Sequence, residues 1–346
     1  MKILIRATNW VGDAIMALPA LRVMRERFAQ AEIGILARPY VLDIYREQGI
    51  ADELIPYDAA GEHRGFRGRE RLAAQLRERR FDVALLLQNA FDAAWLAWRA
   101  KIPERVGYAR DGRSWLLTQA IDVPRGAEIP AHEKFYYLEL VRRAGWLEQL
   151  PDVPWIELKI SSEKRDRAEE FLVAAGARPG HRRIAVGAGA SYGSAKCWPP
   201  ERFAEALNRL ADGNDADVIL FGTTGEAAVS AAILTGLRKP AIDLTGKTPI
   251  AELPALLSRC NLFVGNDSGA MHVAAAVGCP IVAIFGPTDP NGTAPVTPKC
   301  AVVQEKTYCS PCFLRRCPTD HRCMEAVTPA MVEAAARVQL AAVTSA

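Results

Sequence analysis

From residue 3 to residue 285 the chain repeats one pattern: a short apolar run, a turn of small and polar residues, then a stretch with helical spacing. In the first half the apolar runs fall at 3–5, 33–36, 53–55 and 83–87, with amphipathic segments such as 13–28 and 67–80 between them. In the second half helices are expected at 162–176, 199–211, 225–237, 250–259 and 268–277. Strands are expected there at 183–187, 217–221, 241–244, 262–264 and 280–285. Strands separated by helices of this length form βαβ units, so the chain is expected to build α/β domains on parallel sheets.

A chain of 346 residues that is half apolar and a quarter charged has room for two domains of ordinary size. Residues 149–162 hold two prolines and little helical periodicity, and read as the connection. The expected division is 1–155, 156–327, and a closing helix 328–346 opened by Thr328-Pro329, a good cap and first-turn pair. Two facing α/β domains of similar size suggest a ligand cleft between them. No apolar run reaches the length of a membrane span, and the N-terminus lacks the apolar core of a signal peptide. The chain is therefore expected in the cytoplasm.

Residues 262–278, LFVGNDSGAMHVAAAVG, are the most informative stretch. A strand-to-helix turn of this kind aims free backbone N–H groups and the positive helix end at an anion. Asp267, Ser268, Gly269 and His272 are its candidate ligand-binding residues, although Asp267 or Ser268 would equally serve as an ordinary helix cap. The turn 187–199 also follows a strand. Its small residues let backbone approach a ligand, Ser191 and Tyr192 lie in it, and Lys196 supplies a point charge suited to phosphate. In the turn 221–226, Glu226 is placed to bond ribose hydroxyls or simply to favour a helix start. The loop 243–248 adds backbone groups at Leu244 and Gly246 that could read a base. After the first strand, Gly12 permits close approach, and Asp13 is either a helix cap or a general base. The absence of G-x-G-x-x-G and of G-x-x-x-x-G-K-[ST] argues against a nicotinamide dehydrogenase and a P-loop ATPase.

Charge is uneven. Residues 61–80 hold seven arginines against three glutamates. This segment is either a solvated face or a landing patch for an anionic partner through Arg64, Arg67, Arg69 and Arg71. Nucleic acid fits poorly with the low net charge of +3. Cys309, Cys312, Cys317 and Cys323 approach a zinc-knuckle spacing, and are either a structural metal site or a reduced or locally disulfide-bonded loop.

The segments NWVGDAIMALPAL, SAKCWPPERFAEA and GNDSGAMHVAAAVGCPIVAIFGPTDP, in that order, resemble the ADP-heptose:lipopolysaccharide heptosyltransferases of glycosyltransferase family 9. The resemblance spans essentially the whole chain and extends to the cysteine segment. It implies a GT-B fold, two Rossmann-like domains facing across a cleft with the C-terminal helix returning to the first. It also implies inverting, metal-independent transfer of heptose from ADP-heptose, a substrate, with no cofactor. Asp13 matches the family's base and Lys196 its phosphate contact. Asp267, Ser268, Gly269 and His272 match its donor segment, and Glu226 its ribose acid. The implied acceptor is heptose-Kdo-lipid A at the inner face of the inner membrane, with the enzyme peripheral there. Transfer to another core position, a nucleotide-sugar epimerase on the same architecture, and a non-catalytic sugar binder are the alternatives.

Overall fold

The computed structural model describes residues 1–211 and 215–344. The chain divides into two compact units, Met1–Val153 and Pro154–Ala346. The first contains strands β1 (Lys2–Arg6), β2 (Glu32–Ala37), β3 (Glu53–Pro56), β4 (Val83–Leu86), β5 (Glu104–Tyr108) and β6 (Gln119–Ile121). The second contains β7 (Arg182–Gly187), β8 (Ala216–Leu220), β9 (Ile242–Asp243), β10 (Leu262–Asn266), β11 (Ile281–Phe285) and β12 (Cys300–Gln304). Their orders are β3-β2-β1-β4-β5-β6 and β12-β11-β10-β7-β8-β9, and the strand pairings are parallel. Each is a doubly wound sheet: the chain works outward from β1 or β7 to one edge, then returns to start the other half.

The central strands are largely apolar because helices cover both faces of each sheet. In the first unit Leu4, Leu36 and Leu86 pack with Leu72, Leu76 and Ala94 of the helices Gly65–Arg79 and Phe91–Arg99. In the second, Ile184, Val264 and Ile284 pack with Phe203, Leu207 and Leu210 of the helix Pro200–Ala211. That helix has the one-sided pattern expected of a surface helix over a sheet.

Strands β5, β6 and β12 were not anticipated. They carry Glu104, Arg105, Gln119 and Gln304 among their apolar residues and lie at or next to sheet edges, where water replaces the second covering layer. The helix expected at 250–259 is confined to Leu253–Leu257, with Pro254 in its first turn. The closing helix Pro329–Thr344 was expected against the N-terminal domain. Its buried residues Val332, Ala336 and Leu340 belong instead to the second unit's core, where they meet the sheet face beside the helix Pro200–Ala211. Three apolar side chains at helical spacing account for that choice. No helix among the described residues is long and apolar enough to cross a membrane.

Candidate functional site

Strands β7 and β10 are neighbours, with Gly187 opposite Gly265, although the chain leaves them for opposite edges. Loops diverge at such a reversal, and the crevice they leave is where open α/β sheets bind ligands. The loop after β7 carries Lys196 and the loop after β10 carries Asp267, and the structure brings the two together. Lys196 Nζ lies 2.5 Å from Asp267 Oδ2, which also accepts from Thr288 Oγ1 at 2.7 Å. Both charged side chains are largely withdrawn from solvent, at 12% and 5% exposure. Lys196 Nζ also sits 4.9 Å from the centre of the Tyr192 ring, a cation–π contact. Ser191 is exposed at the rim.

Two residues outside the sequence expectation hold this arrangement. Asn266 is fully buried, donates to Ala188 O at 2.6 Å and accepts from Trp198 N at 3.1 Å. One amide thus ties the end of β10 to both ends of the lysine loop. Thr288, after β11, fixes the second acceptor contact on Asp267. Only the neighbours Asp267 and Lys196 drew notice in the sequence, because an amide or hydroxyl acting on backbone has no spacing signature.

Ser268 caps the helix Gly269–Ala276 in position but not by hydrogen bond, and its Oγ is buried without a partner. The first-turn N–H groups of this helix lack intrahelical acceptors, so hydroxyl, amides and dipole all favour an anion there. His272 is buried one turn further on. Asp267 does not cap the helix; its carboxylate is committed to Lys196 and Thr288.

The cysteine segment takes a different part from the metal site entertained above. All four thiols are free, and among the described residues no three His, Cys, Asp or Glu side chains gather as a cation site. The segment instead buttresses the lysine loop. Arg315 O accepts from Ala195 N at 3.1 Å, His321 Nε2 bonds Ala195 O at 2.7 Å, and Tyr192 OH donates to Phe313 O at 2.7 Å. A Cβ on Gly193 would stand 2.2 Å from Arg315 O, so only glycine permits this approach. Cys323 is buried with Met324 against Gly286, and its thiol is pushed up by burial and then by Cys309, Cys312 and Cys317.

Glu226 lies alongside the same loop: a Cβ on Gly189 would meet Glu226 Oε1 at 1.7 Å. Its Oε2 accepts from Thr223 N at 2.6 Å in a capping box, which leaves Oε1 toward the loop. The Leu244 side chain is core. Leu244 N donates to Leu220 O and Gly246 N to Gly222 O, so these N–H groups are not available to read a base, and Leu244 O already accepts from Lys247 N.

In the first unit Asp13 is the third residue of the helix Val11–Arg27. The cap is Trp10, without a side-chain bond, so Asp13 is not the cap. Gly12 sits beside it in the first turn. The fully buried Arg6, at the end of β1, donates to Ala7 O at 2.5 Å and to Asn9 Oδ1 at 2.9 Å, shaping the loop that leads to Asp13. The helix Glu133–Arg143 packs on Val11–Arg27. Glu133 opens it, and burial followed by the nearby Asp13 charge pushes its carboxyl up to about 7, with Arg110 pulling the other way. Burial, Asp13 and Glu133 also raise the Tyr137 hydroxyl. Two carboxyls therefore share one part of the first unit, and Glu133 had no motif to announce it. Arg64, Arg67 and Arg71 are exposed and Arg69 half-buried on or beside the helix Gly65–Arg79.

Two doubly wound parallel sheets in one chain, one with a cation and a helix N-terminus at its reversal point, form an α/β architecture suited to a phosphorylated ligand. The profile of Glycosyltransferase family 9 (heptosyltransferase) matches residues 69–322, and the chain belongs to that family. Lipopolysaccharide heptosyltransferase 2 of Salmonella typhimurium is 32% identical, with 88% of each chain covered. The protein of the same name from Escherichia coli is 31% identical over the same shares. The solved structure of E. coli ADP-heptose lps heptosyltransferase II superposes with a TM-score of 0.84 at 28% identity, covering 99% of this chain and all of that one.

Proposed function

We propose that this enzyme moves L-glycero-D-manno-heptose from ADP-heptose to the first heptose of heptose-Kdo-lipid A, by metal-independent single displacement with inversion. The observation that carries the reading is the Lys196–Asp267–Thr288 cluster beside the unpartnered Ser268 hydroxyl at a helix N-terminus. As the bond from the anomeric carbon to the diphosphate breaks, negative charge collects on the leaving oxygens. Lys196 and the N–H groups at Ser268-Gly269 stabilise it in place, which is the role preorganised donors play best. Asp267 positions Lys196 and the donor sugar and does not act as an acid, because a phosphate leaving group needs little protonation. Glu226, through Oε1, is assigned to the ribose.

Asp13 takes the proton from the acceptor hydroxyl as that oxygen attacks the face of the anomeric carbon opposite the departing phosphate. Arg64, Arg67, Arg69 and Arg71 are assigned to phosphate and carboxylate groups of the acceptor. The enzyme works in the cytoplasm, peripheral to the inner face of the inner membrane. Assaying transfer from ADP-heptose to core acceptors bearing zero, one or two heptoses tests the reading. Product from the one-heptose acceptor alone is expected, and product from another acceptor only would move the enzyme to a different core position. Isomerisation of ADP-heptose without acceptor would replace the reading with an epimerase.

A further inference from the structure

The helix Phe91–Arg99 buries Ala93, Ala94, Leu96 and Ala97 and carries Phe91, Trp95 and Trp98 at i, i+4 and i+7; Phe91 and Trp98 are exposed, and Trp95 is half-buried with its inner edge against the core. This aromatic stripe does not stand alone. Phe66, from the start of the neighbouring helix Gly65–Arg79, contacts Trp95 with ring centres 5.8 Å apart. Trp115, in the short turn Ser114–Leu116, lies 6.3 Å from Phe91 and 6.4 Å from Trp98. Five rings thus form one band on the surface of the first unit, holding three of the chain's seven tryptophans. Phe66 and Trp115 are each 69% exposed, and Phe91 and Trp98 more than two-fifths. Rings of this size are ordinarily buried, and a contiguous exposed band marks an interaction surface.

The charge beside the band narrows the partner. Arg64 and Arg67 flank Phe66 in sequence and are exposed, Lys101 is exposed just past Trp98, and Arg99 lies over the Trp98 ring at 5.9 Å. The nearby carboxylate Glu70 is already taken by Arg99, at 2.6 Å. Large amphipathic rings rimmed by exposed cations are the composition of proteins that seat at the headgroup level of an anionic bilayer.

We propose that the Phe66–Trp95–Phe91–Trp98–Trp115 band, with Arg64, Arg67 and Lys101, is a docking surface for an anionic phospholipid bilayer. The choice of occupant rests on the functional reading above, since a lipid-borne acceptor has to be met at a membrane, but binding to lipid needs neither donor nor acceptor. The rings seat among the headgroups and the cations meet the phosphates. Membrane capture would then raise the local concentration of acceptor without any change in the chemistry.

The test is co-sedimentation of the whole chain with phosphatidylcholine vesicles containing or lacking phosphatidylglycerol, with tryptophan fluorescence read in parallel. At least tenfold tighter binding to the anionic vesicles and a blue shift are expected. The triple variant Phe66→Ser, Trp98→Ser, Trp115→Ser should lose at least tenfold of that binding, as should the single Trp115→Ala in smaller degree, with unfolding midpoints unchanged. Transfer to a delipidated core oligosaccharide should be unaffected by the triple variant, while transfer to vesicle-borne acceptor falls. Wild-type protein that ignores anionic vesicles, or a triple variant that binds them equally well, overturns the proposal. A dimer that dissociates in the triple variant, with no vesicle binding by either, assigns the band to a second copy and overturns it too. Vesicle binding with no transfer to any acceptor would instead defeat the functional reading and leave the docking surface standing.

Discussion

The two sheets share one topology, yet their reversal points carry opposite chemistry. At β7/β10 the loops gather a lysine, an unpartnered hydroxyl and a helix N-terminus, all suited to negative charge. In the first unit the loop after β1 leads to Asp13, and the helix Glu133–Arg143 adds a second carboxyl that burial, and then the Asp13 charge, push up to about 7. Topology decides where a site can lie; the side chains on the loops decide whether it stabilises charge or takes protons. The second site is further braced by Asn266 and the cysteine segment.

This contrast can be broken from either side. The largest effect is expected from Asp13→Ala, which should lower kcat by about 10³-fold while ADP affinity, measured calorimetrically, stays within about twofold. Retained turnover would remove Asp13 from the chemistry. Lys196→Ala should cost about 10²-fold in kcat and weaken ADP binding as well, reading the opposite way in the same two assays. It also strands Asp267 in a buried place, so a lowered unfolding midpoint accompanies it. Gly193→Ala forces a Cβ against Arg315 O and should weaken ADP binding by roughly tenfold through loop displacement alone, with Asp13-dependent proton transfer untouched.

The smallest effect concerns Glu133. The folded chain holds its proton more tightly than the unfolded one does. Its contribution to stability is therefore full below about pH 4.5 and is lost as pH rises through about 7. Glu133→Gln should remove that loss. By scanning calorimetry the variant is expected to match wild type near pH 5 and to melt a few degrees higher near pH 8. Parallel curves at both pH values would show that the Glu133 carboxyl is not raised in the folded chain.

Much of this was legible in the residues. The central strands announce themselves as apolar runs, and Lys196, Asp267 and Asp13 each lie in the loop or the helix start that follows one. The pairing of Lys196 with Asp267 was not legible, because it depends on β7 and β10 becoming neighbours across 71 residues of sequence. The cysteine spacing left a metal site and a reduced or disulfide-bonded loop both open; the bracing is done by backbone atoms of Arg315 and Phe313, which leave no mark in a motif. Glu133 is an unremarkable glutamate until the packing of two helices sets it near Asp13.

The Lys196–Asp267 contact has one more consequence. The phosphate contact proposed for this lysine is not empty before the donor arrives; it is filled by the protein's own carboxylate. A diphosphate that engages Lys196 must displace Asp267 or share the cation with it, so binding is an exchange of anions and yields the difference between two ion pairs, not the whole of one. Added salt should then weaken donor binding less than one fully exposed lysine–phosphate contact would suggest. The carboxylate released in the exchange becomes free, at that moment, to accept hydrogen bonds from the sugar.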